Sequence, residues 1–132
     1  MGIKSSKTLV ENALKEIKTL EAKEVKELTE KNLCTLIDIR DIRELWRDGT
    51  IKDALHIPRG MLEFWLDPQS QYYSEKKFSK RKKLVLFCAA GMRSALATKT
   101  LKDMGYENIA HVEGGFGSLS TQGFEIINKE KK

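Results

Sequence analysis

The stretch LVLFCAAGMRSALATKTL, residues 84 to 101, decides the fold class of this chain. It opens inside KLVLF, residues 83 to 87, whose four apolar residues are typical of a buried strand. From Ser94 to Met104 the apolar residues recur at helical spacing, and Gly105 can end the helix. One cysteine, Cys88, stands between the two elements. A strand that passes directly into a helix indicates an α/β layered protein.

The rest of the chain continues this alternation of helices and strands. Asp41 and Glu44 have capping-box spacing, and Gly49 can end the helix that they begin. Parallel strands need crossover connections, so we expect a three-layer fold with a mainly parallel central sheet and helices on both faces. Further helices are predicted at residues 5 to 17 and 21 to 32, and further strands at residues 33 to 39, 54 to 57 and 109 to 112.

Composition bounds the class of protein. The 132 residues, 40% of them hydrophobic, suffice for one packed domain. Two cysteines are too few for a disulfide-stapled secreted scaffold and have no metal-ligand spacing. Charges interrupt the first twenty residues, and no stretch has the length of a membrane span, so we expect a soluble cytoplasmic protein without membrane contact.

The net charge of +5 is concentrated in KKFSKRKK, residues 76 to 83, where six of eight residues are basic. Nucleic-acid binding would need aromatic residues interleaved with the basic ones in a stacking pattern, or a recognition motif such as a helix-turn-helix, and the sequence has neither. We therefore interpret the run as a solvated loop and expect no nucleic-acid partner.

Cys88 occupies the position where α/β proteins bind ligands, beyond the carboxyl end of a strand. Backbone N–H groups from Ala89 to Arg93 can converge there on an anion, and Gly91 gives the backbone the freedom for a tight ring. A helix N-terminus lowers a thiol pKa by about one unit at most, so direct N–H contacts to sulfur must supply any further lowering. Cys34, inside a strand-like run, is expected to be buried and inert.

Three motifs resemble those of the rhodanese family of sulfurtransferases. CAAGMRS, residues 88 to 94, is similar to the family's active-site loop; LIDIR, residues 36 to 40, to its strand ending in Asp-x-Arg; and EGGF, residues 113 to 116, to its late Gly-Gly turn. The chain departs from the family pattern at residues 49 to 54 and at Leu119, where tryptophan is common. The resemblance suggests a helical extension at 1–15, a rhodanese-like domain at 16–124 and a basic tail at 125–132.

The resemblance implies a sulfurtransferase of the thiosulfate type that needs no metal or other cofactor. Cys88 would take a sulfur atom from a small-molecule donor, such as thiosulfate or a persulfide, and pass it from a Cys88 persulfide to cyanide or a thiol. A thiol that is already ionised needs no general base, so His56 and His111 are expected to be structural. The implied substrate-binding cradle consists of Ala89, Ala90, Gly91, Met92, Arg93 and Ser94.

Residues around the loop are expected to support it. Arg93 either steers an anionic donor or braces the loop by pairing with Asp38 or Glu44, and bracing is favoured. Asp38 and Arg40 form either a support or a plain surface ion pair. Arg59 is a weaker candidate for donor contact. Three aromatic residues, Phe64, Trp65 and Tyr72, form either a wall over the pocket or ordinary core packing.

Two other functions remain open from sequence. Cysteine phosphatases and arsenate reductases also hold a thiolate in an anion loop, but tyrosine-phosphatase loops place five residues between Cys and Arg, whereas four lie between Cys88 and Arg93. A non-autonomous carrier could relay persulfide sulfur to or from another protein. The sequence leaves open the physiological donor and acceptor, the oligomeric state, and the roles of the N-terminal helix and of residues 60 to 83.

Overall fold

A computed structural model describes residues 2–74, 77–78 and 82–130 of the chain. In addition to the strands and helices given next, Arg59–Met61 form a short 3-10 turn. The strands are β1 (Thr19–Leu20), β2 (Cys34–Asp38), β3 (Thr50–Ile51), β4 (Leu55–His56), β5 (Lys83–Phe87), β6 (Ile109–Val112) and β7 (Ile126–Ile127). The helices are α1 (Ser6–Glu16), α2 (Ala22–Glu30), α3 (Ile42–Asp48), α4 (Leu62–Trp65), α5 (Met92–Met104) and α6 (Gly115–Thr121).

Five strands form one parallel sheet in the order β1-β6-β5-β2-β4. β3 and β7 pair separately as a small antiparallel sheet. The prediction of an α/β fold with a mainly parallel central sheet is therefore confirmed. Because the five strands are parallel, their carboxyl ends lie along one edge, where β5 gives way to Cys88.

The core has two halves, one on each face of the sheet. Leu84, Leu86 and Cys88 belong to the half that contains Ala97 and Leu101 of α5. Val85 and Phe87 belong to the other half, which includes residues of α2 and α6. This alternation is the two-residue period of a strand whose faces are both covered. Helices therefore lie on both faces, and Cys88 points to the α5 side.

Local signals set the ends of several helices. Asp41 caps α3, the capping box with Glu44 is present, and Gly49 follows the helix with φ of 79°, all as predicted. α5 begins at Met92, two residues earlier than the sequence indicated, because Gly91 at φ of 109° already turns the chain into the helix.

In the described residues of the insertion after β4, regular structure is limited to the 3-10 turn and α4. Trp65 is partly buried against the core, and Tyr73 lies with its ring centroid 5.9 Å from that of Phe78. Within the ranges given above, no helix is long and apolar enough to cross a membrane. Much of the predicted basic loop, 76 and 79–81, and the last two residues of the predicted tail lie outside the described residues.

Candidate active site

The thiol of Cys88 lies immediately beyond β5, at the start of the loop that leads into α5. The residue is only 1% exposed, whereas its neighbours Ala89 and Ala90 are exposed. β5 fixes the direction of the side chain through its alternation, and α5 provides the N-terminus beside it. The sulfur atom is therefore held inside the loop, with small side chains on the solvent side.

Backbone N–H groups of the loop donate to the Cys88 sulfur. The Gly91 nitrogen lies 3.1 Å and the Ser94 nitrogen 3.4 Å from Sγ, and the Ser94 hydroxyl oxygen lies 3.6 Å away. Burial is the largest single influence on this thiol and acts to raise its pKa. The hydrogen bond between Cys88 and the Ser94 hydroxyl and the bonds from the N–H groups of Ser94, Gly91 and Ala90 together outweigh burial, so the pKa of Cys88 is lowered.

The second thiol provides a contrast. Cys34 begins β2, far along the sheet from the carboxyl edge, and burial raises its pKa despite a contact from Thr29. Both cysteines are free. Of the two, only Cys88 has the surroundings that favour a thiolate.

Arg93 braces the loop rather than projecting freely over it. Its two terminal nitrogens donate to the two carboxylate oxygens of Glu44, each at 2.9 Å. The Glu44 carboxylate also accepts from the Asp41 N–H in the capping box, so α3 anchors the pair. Hydrogen bonding to Arg93 lowers the pKa of Glu44. Of the two predicted partners of Arg93, the structure brings Glu44 to it.

Asp38 and Arg40 form a buried pair behind the loop, with 0% and 1% of their side chains exposed. Asp38 accepts from Arg40 Nη2 at 2.8 Å and from the Thr50 hydroxyl at 2.7 Å. The Arg40 guanidinium also stacks 4.2 Å from the centre of the Phe116 ring. The alternative of a plain surface ion pair is therefore wrong, because both groups are enclosed and their polar atoms are satisfied.

The Gly-Gly turn at 114–115 packs directly under the thiol loop. The Phe116 N–H donates to the Cys88 carbonyl at 2.8 Å. A methyl group at Gly115 would lie 2.8 Å from the carbonyl carbon and oxygen of Ala89, and Gly115 has φ of 55°. Only glycine fits both this backbone conformation and this close approach.

The other candidate residues from the sequence analysis differ in their exposure and in their contacts. Met92 and Phe64 are 62% and 56% exposed. Arg59 donates to Glu63 at 2.8 Å and to the Thr100 hydroxyl at 3.3 Å, so it is engaged along α4 and α5. Of the aromatic residues, Trp65 packs on the core, whereas Tyr72 is 46% exposed.

Sequence reasoning overlooked one neighbour of the site. The Nδ1 atom of His111, in β6, lies 2.9 Å from the Ser94 hydroxyl, and its Nε2 atom lies 3.0 Å from the Thr19 hydroxyl. The sequence signal for this contact was the alternation in IAHV, where Ile109 and His111 share the face that Leu84 and Leu86 present to α5.

In the described part of the chain, no three His, Cys, Asp or Glu side chains are arranged to hold a metal ion.

Many solved structures are similar to this chain, among them the following two. A protein of unknown function from Rhodopseudomonas palustris, described as a possible tyrosine phosphatase, is 42% identical with a TM-score of 0.86, over 96% of this chain and 97% of the other. The polysulfide-sulfur transferase homodimer of Wolinella succinogenes is 32% identical with a TM-score of 0.73, over 93% and 87% of the two chains.

Curated relatives include the tRNA uridine(34) hydroxylase of Prochlorococcus marinus, which is 35% identical over 99 residues. That match covers 73% of this chain but 30% of the hydroxylase. The chain thus spans less than two thirds of the length of the first curated relatives that it matches.

The family model of the rhodanese-like domain matches residues 21–122, which include the thiol loop, the Asp38–Arg40 pair and the Gly-Gly turn. The chain belongs to the rhodanese-like domain family.

Proposed function

We propose that this protein is a sulfurtransferase that carries sulfane sulfur on Cys88. The observation that carries the proposal is the set of N–H donors at 3.1 and 3.4 Å from the Cys88 sulfur, which together with the Ser94 hydroxyl lower the pKa of the thiol. A thiolate is the nucleophile that such a reaction needs.

The reaction consists of two displacements at sulfur. The Cys88 thiolate attacks the outer sulfur of thiosulfate, the S–S bond of the donor breaks, and sulfite leaves with the electron pair. An acceptor such as cyanide then attacks the outer sulfur of the persulfide. The bond to Sγ breaks, thiocyanate leaves, and the thiolate is restored. The enzyme would therefore follow ping-pong kinetics.

Intact mass measurement tests this proposal. Wild type, Cys88→Ser and Cys34→Ala are each exposed briefly to thiosulfate, separated from excess reagent and weighed. We expect wild type and Cys34→Ala to gain one sulfur that cyanide removes as thiocyanate, and Cys88→Ser to gain none. Cys34→Ala is the matched control because it removes the other buried thiol. Absence of the gain with thiosulfate, polysulfide and a small persulfide alike would overturn the proposal.

A second candidate is a relay module that receives sulfur from another protein. The charge around the loop favours it. Arg93 is already paired with Glu44, and the exposed loop side chains of Ala89, Ala90 and Met92 are uncharged, so no free cation of the loop attracts a small dianion. A relay predicts loading from a cysteine desulfurase but no turnover with thiosulfate and cyanide.

Phosphatase activity is the third reading to test, because one structural neighbour is described as a possible tyrosine phosphatase. Four residues separate Cys88 from Arg93, which makes a smaller ring than the five-residue spacing of tyrosine phosphatases. We expect no hydrolysis of p-nitrophenyl phosphate. Hydrolysis that Cys88→Ser abolishes would replace the sulfurtransferase proposal.

A further inference from the structure

A line of polar side chains leads from the Cys88 thiol into the sheet. The Ser94 hydroxyl lies 3.6 Å from Sγ and 2.9 Å from Nδ1 of His111. On the other side of the imidazole, Nε2 lies 3.0 Å from the Thr19 hydroxyl. Ser94 is fully buried and His111 is 2% exposed.

The central sheet places these groups in register. On one side of β6, His111 pairs with Leu86 of β5. On the other side of β6, His111 pairs with Thr19 of β1. Cys88 follows Leu86 by two residues and so points to the same face. The first turn of α5 covers this face and brings in Ser94. The line is thus fixed by strand pairing rather than by mobile loops.

We propose that His111 and Thr19 are positioning residues that direct the Ser94 hydroxyl proton onto the Cys88 sulfur and thereby favour its thiolate. His111 does so as a neutral ring that carries its proton on Nδ1 and donates it to the Ser94 oxygen. The inference rests on the proposed function only for the reaction of the thiolate, which is sulfur transfer. The thiolate itself is measurable without that reaction.

Counting protons explains why the imidazole matters. The Ser94 hydroxyl has one proton and three neighbours that could accept it: the sulfur, Nδ1 of His111 and the Gly91 carbonyl at 3.3 Å. When Nδ1 carries a proton, His111 donates and can no longer accept. The Ser94 proton is then left to the sulfur or to Gly91, and a negative sulfur is the stronger acceptor.

Thr19 is placed to hold this tautomer. Its hydroxyl can donate to Nε2 of His111, which leaves Nδ1 as the nitrogen that carries the proton. In the opposite tautomer, Nδ1 would accept the Ser94 proton, and the Ser94 oxygen would present a lone pair to sulfur. That arrangement stabilises the thiol, because only an S–H group can donate to it.

The ring stays neutral in the pH range where the thiol ionises. Burial lowers the pKa of His111 to about 4. The elements packed around it carry charged residues: Lys83 begins β5, and α5 contains Arg93, Lys99, Lys102 and Asp103. Lys18, just before β1, accepts from the backbone N–H of His111 through its backbone carbonyl. Lys99 is paired with Asp103, and Arg93 with Glu44 of α3. Arg93 also interacts electrostatically with Cys88. A guanidinium keeps its charge at all accessible pH values, so Arg93 stays cationic while Cys88 ionises.

The same hydroxyl would act in the step that releases sulfur. When an acceptor attacks the outer sulfur of the persulfide, the S–S bond breaks and its electron pair goes to Sγ. Donation from Ser94 stabilises the negative charge as it develops on this atom. We therefore expect loss of the polar line to slow transfer from the persulfide to the acceptor.

Ultraviolet absorbance of the thiolate, followed against pH, tests the inference. All variants are made in a Cys34→Ala background so that Cys88 is the only thiol, and the same protein with Cys88→Ser supplies the blank. Ser94→Ala should lower the ratio of thiolate to thiol about tenfold at a given pH, as expected for one lost hydrogen bond to a charged group.

Substitutions of His111 then separate positioning from packing. His111→Gln, which has no atom in the place of Nδ1, should give nearly the loss seen in Ser94→Ala. His111→Asn, whose amide nitrogen can replace Nδ1, should restore most of the thiolate. Thr19→Val should lower the thiolate fraction, whereas Thr19→Ser should not. Ile109→Val, a truncation on the same face of β6, controls for packing and should leave the titration unchanged.

Three results would overturn the inference: an unchanged titration in His111→Gln, equal losses in His111→Asn and His111→Gln, or a loss in Ile109→Val as large as that in His111→Gln. Failure of the proposed function has a different signature. In that case the thiol titrates as described here, but wild-type protein gains no sulfur from any donor.

Discussion

Acid should destabilise this protein through His111. Burial lowers the pKa of this imidazole from 6.5 to about 4, so the folded chain keeps it neutral where an unfolded chain would protonate it. Between those two values the unfolded state binds the extra proton. The free energy of unfolding therefore has its full contribution from this group above pH 6.5 and loses it as the pH falls towards 4.

The size of the loss follows from the two pKa values. At about pH 5 it amounts to about 2 kcal/mol, and it approaches roughly 3 kcal/mol below pH 4. Such a loss is a large part of the stability of a small domain, which is typically 5 to 15 kcal/mol. Glu44, Asp41 and Asp48 have lowered pKa values and act in a more acidic range, below their ordinary values of 4.5 and 3.8.

Urea unfolding at about pH 7.5 and about pH 5 measures this effect. We expect the difference in unfolding free energy between the two conditions to be smaller by about 2 kcal/mol in His111→Gln than in wild type. Ile109→Val, a truncation on the same face of β6, is the control and should keep the full difference. An unchanged difference in His111→Gln, or an NMR titration in which the His111 ring protonates near pH 6.5, would refute the reasoning.

Four further substitutions probe the supports of the thiol loop. Gly115→Ala should destabilise the protein by about 1–3 kcal/mol in urea unfolding and reduce sulfur loading, because the new methyl meets the Ala89 carbonyl; wild-type loading would contradict this contact. Arg40→Met leaves a buried carboxylate unpaired and should cost about 3–5 kcal/mol; a cost below about 1 kcal/mol would show that the pair is dispensable. Arg93→Ala and Glu44→Ala should each slow loading by a similar factor, with stability effects near 1 kcal/mol. A loss of loading confined to Arg93→Ala would indicate that the guanidinium contacts the donor.

Much of the fold could be predicted from sequence because its signals are local. The apolar run before Cys88 and the helical spacing after Ser94 define β5 and most of α5. The capping box of α3 needs only two side chains three residues apart. Such features depend on neighbours in sequence, and the chain carries them without reference to tertiary structure.

The strands that sequence reasoning missed are short and paired over long distances. β1, β3 and β7 have two residues each, too few to show a two-residue period. β3 finds its partner β7 more than seventy residues later in the chain. Pairings of this kind follow from closure of the fold rather than from propensity.

The candidate site also has a part that could be predicted from sequence and a part that could not. The thiol loop is contiguous in sequence, so its residues could be named in advance. The pairing of Arg93 with Glu44 was one of two alternatives, and the choice depends on where α3 lies. The contact of His111 with Ser94 depends on the register of β5 and β6 and on the position of α5, and neither is readable from a single sequence.

Cys88 completes the inward row of Leu84 and Leu86, so the reactive atom is also the last core residue of its strand. Side chains that never meet a substrate therefore determine where the sulfur stands relative to its N–H donors. Hydrogen bonds weaken steeply with distance and angle, whereas a small loss of packing costs a protein only part of its stability. Truncations between β5 and α5 should therefore slow sulfur loading of Cys88 at temperatures where the protein is still fully folded. Mutations that restore loading should map to the opposite side of the same core.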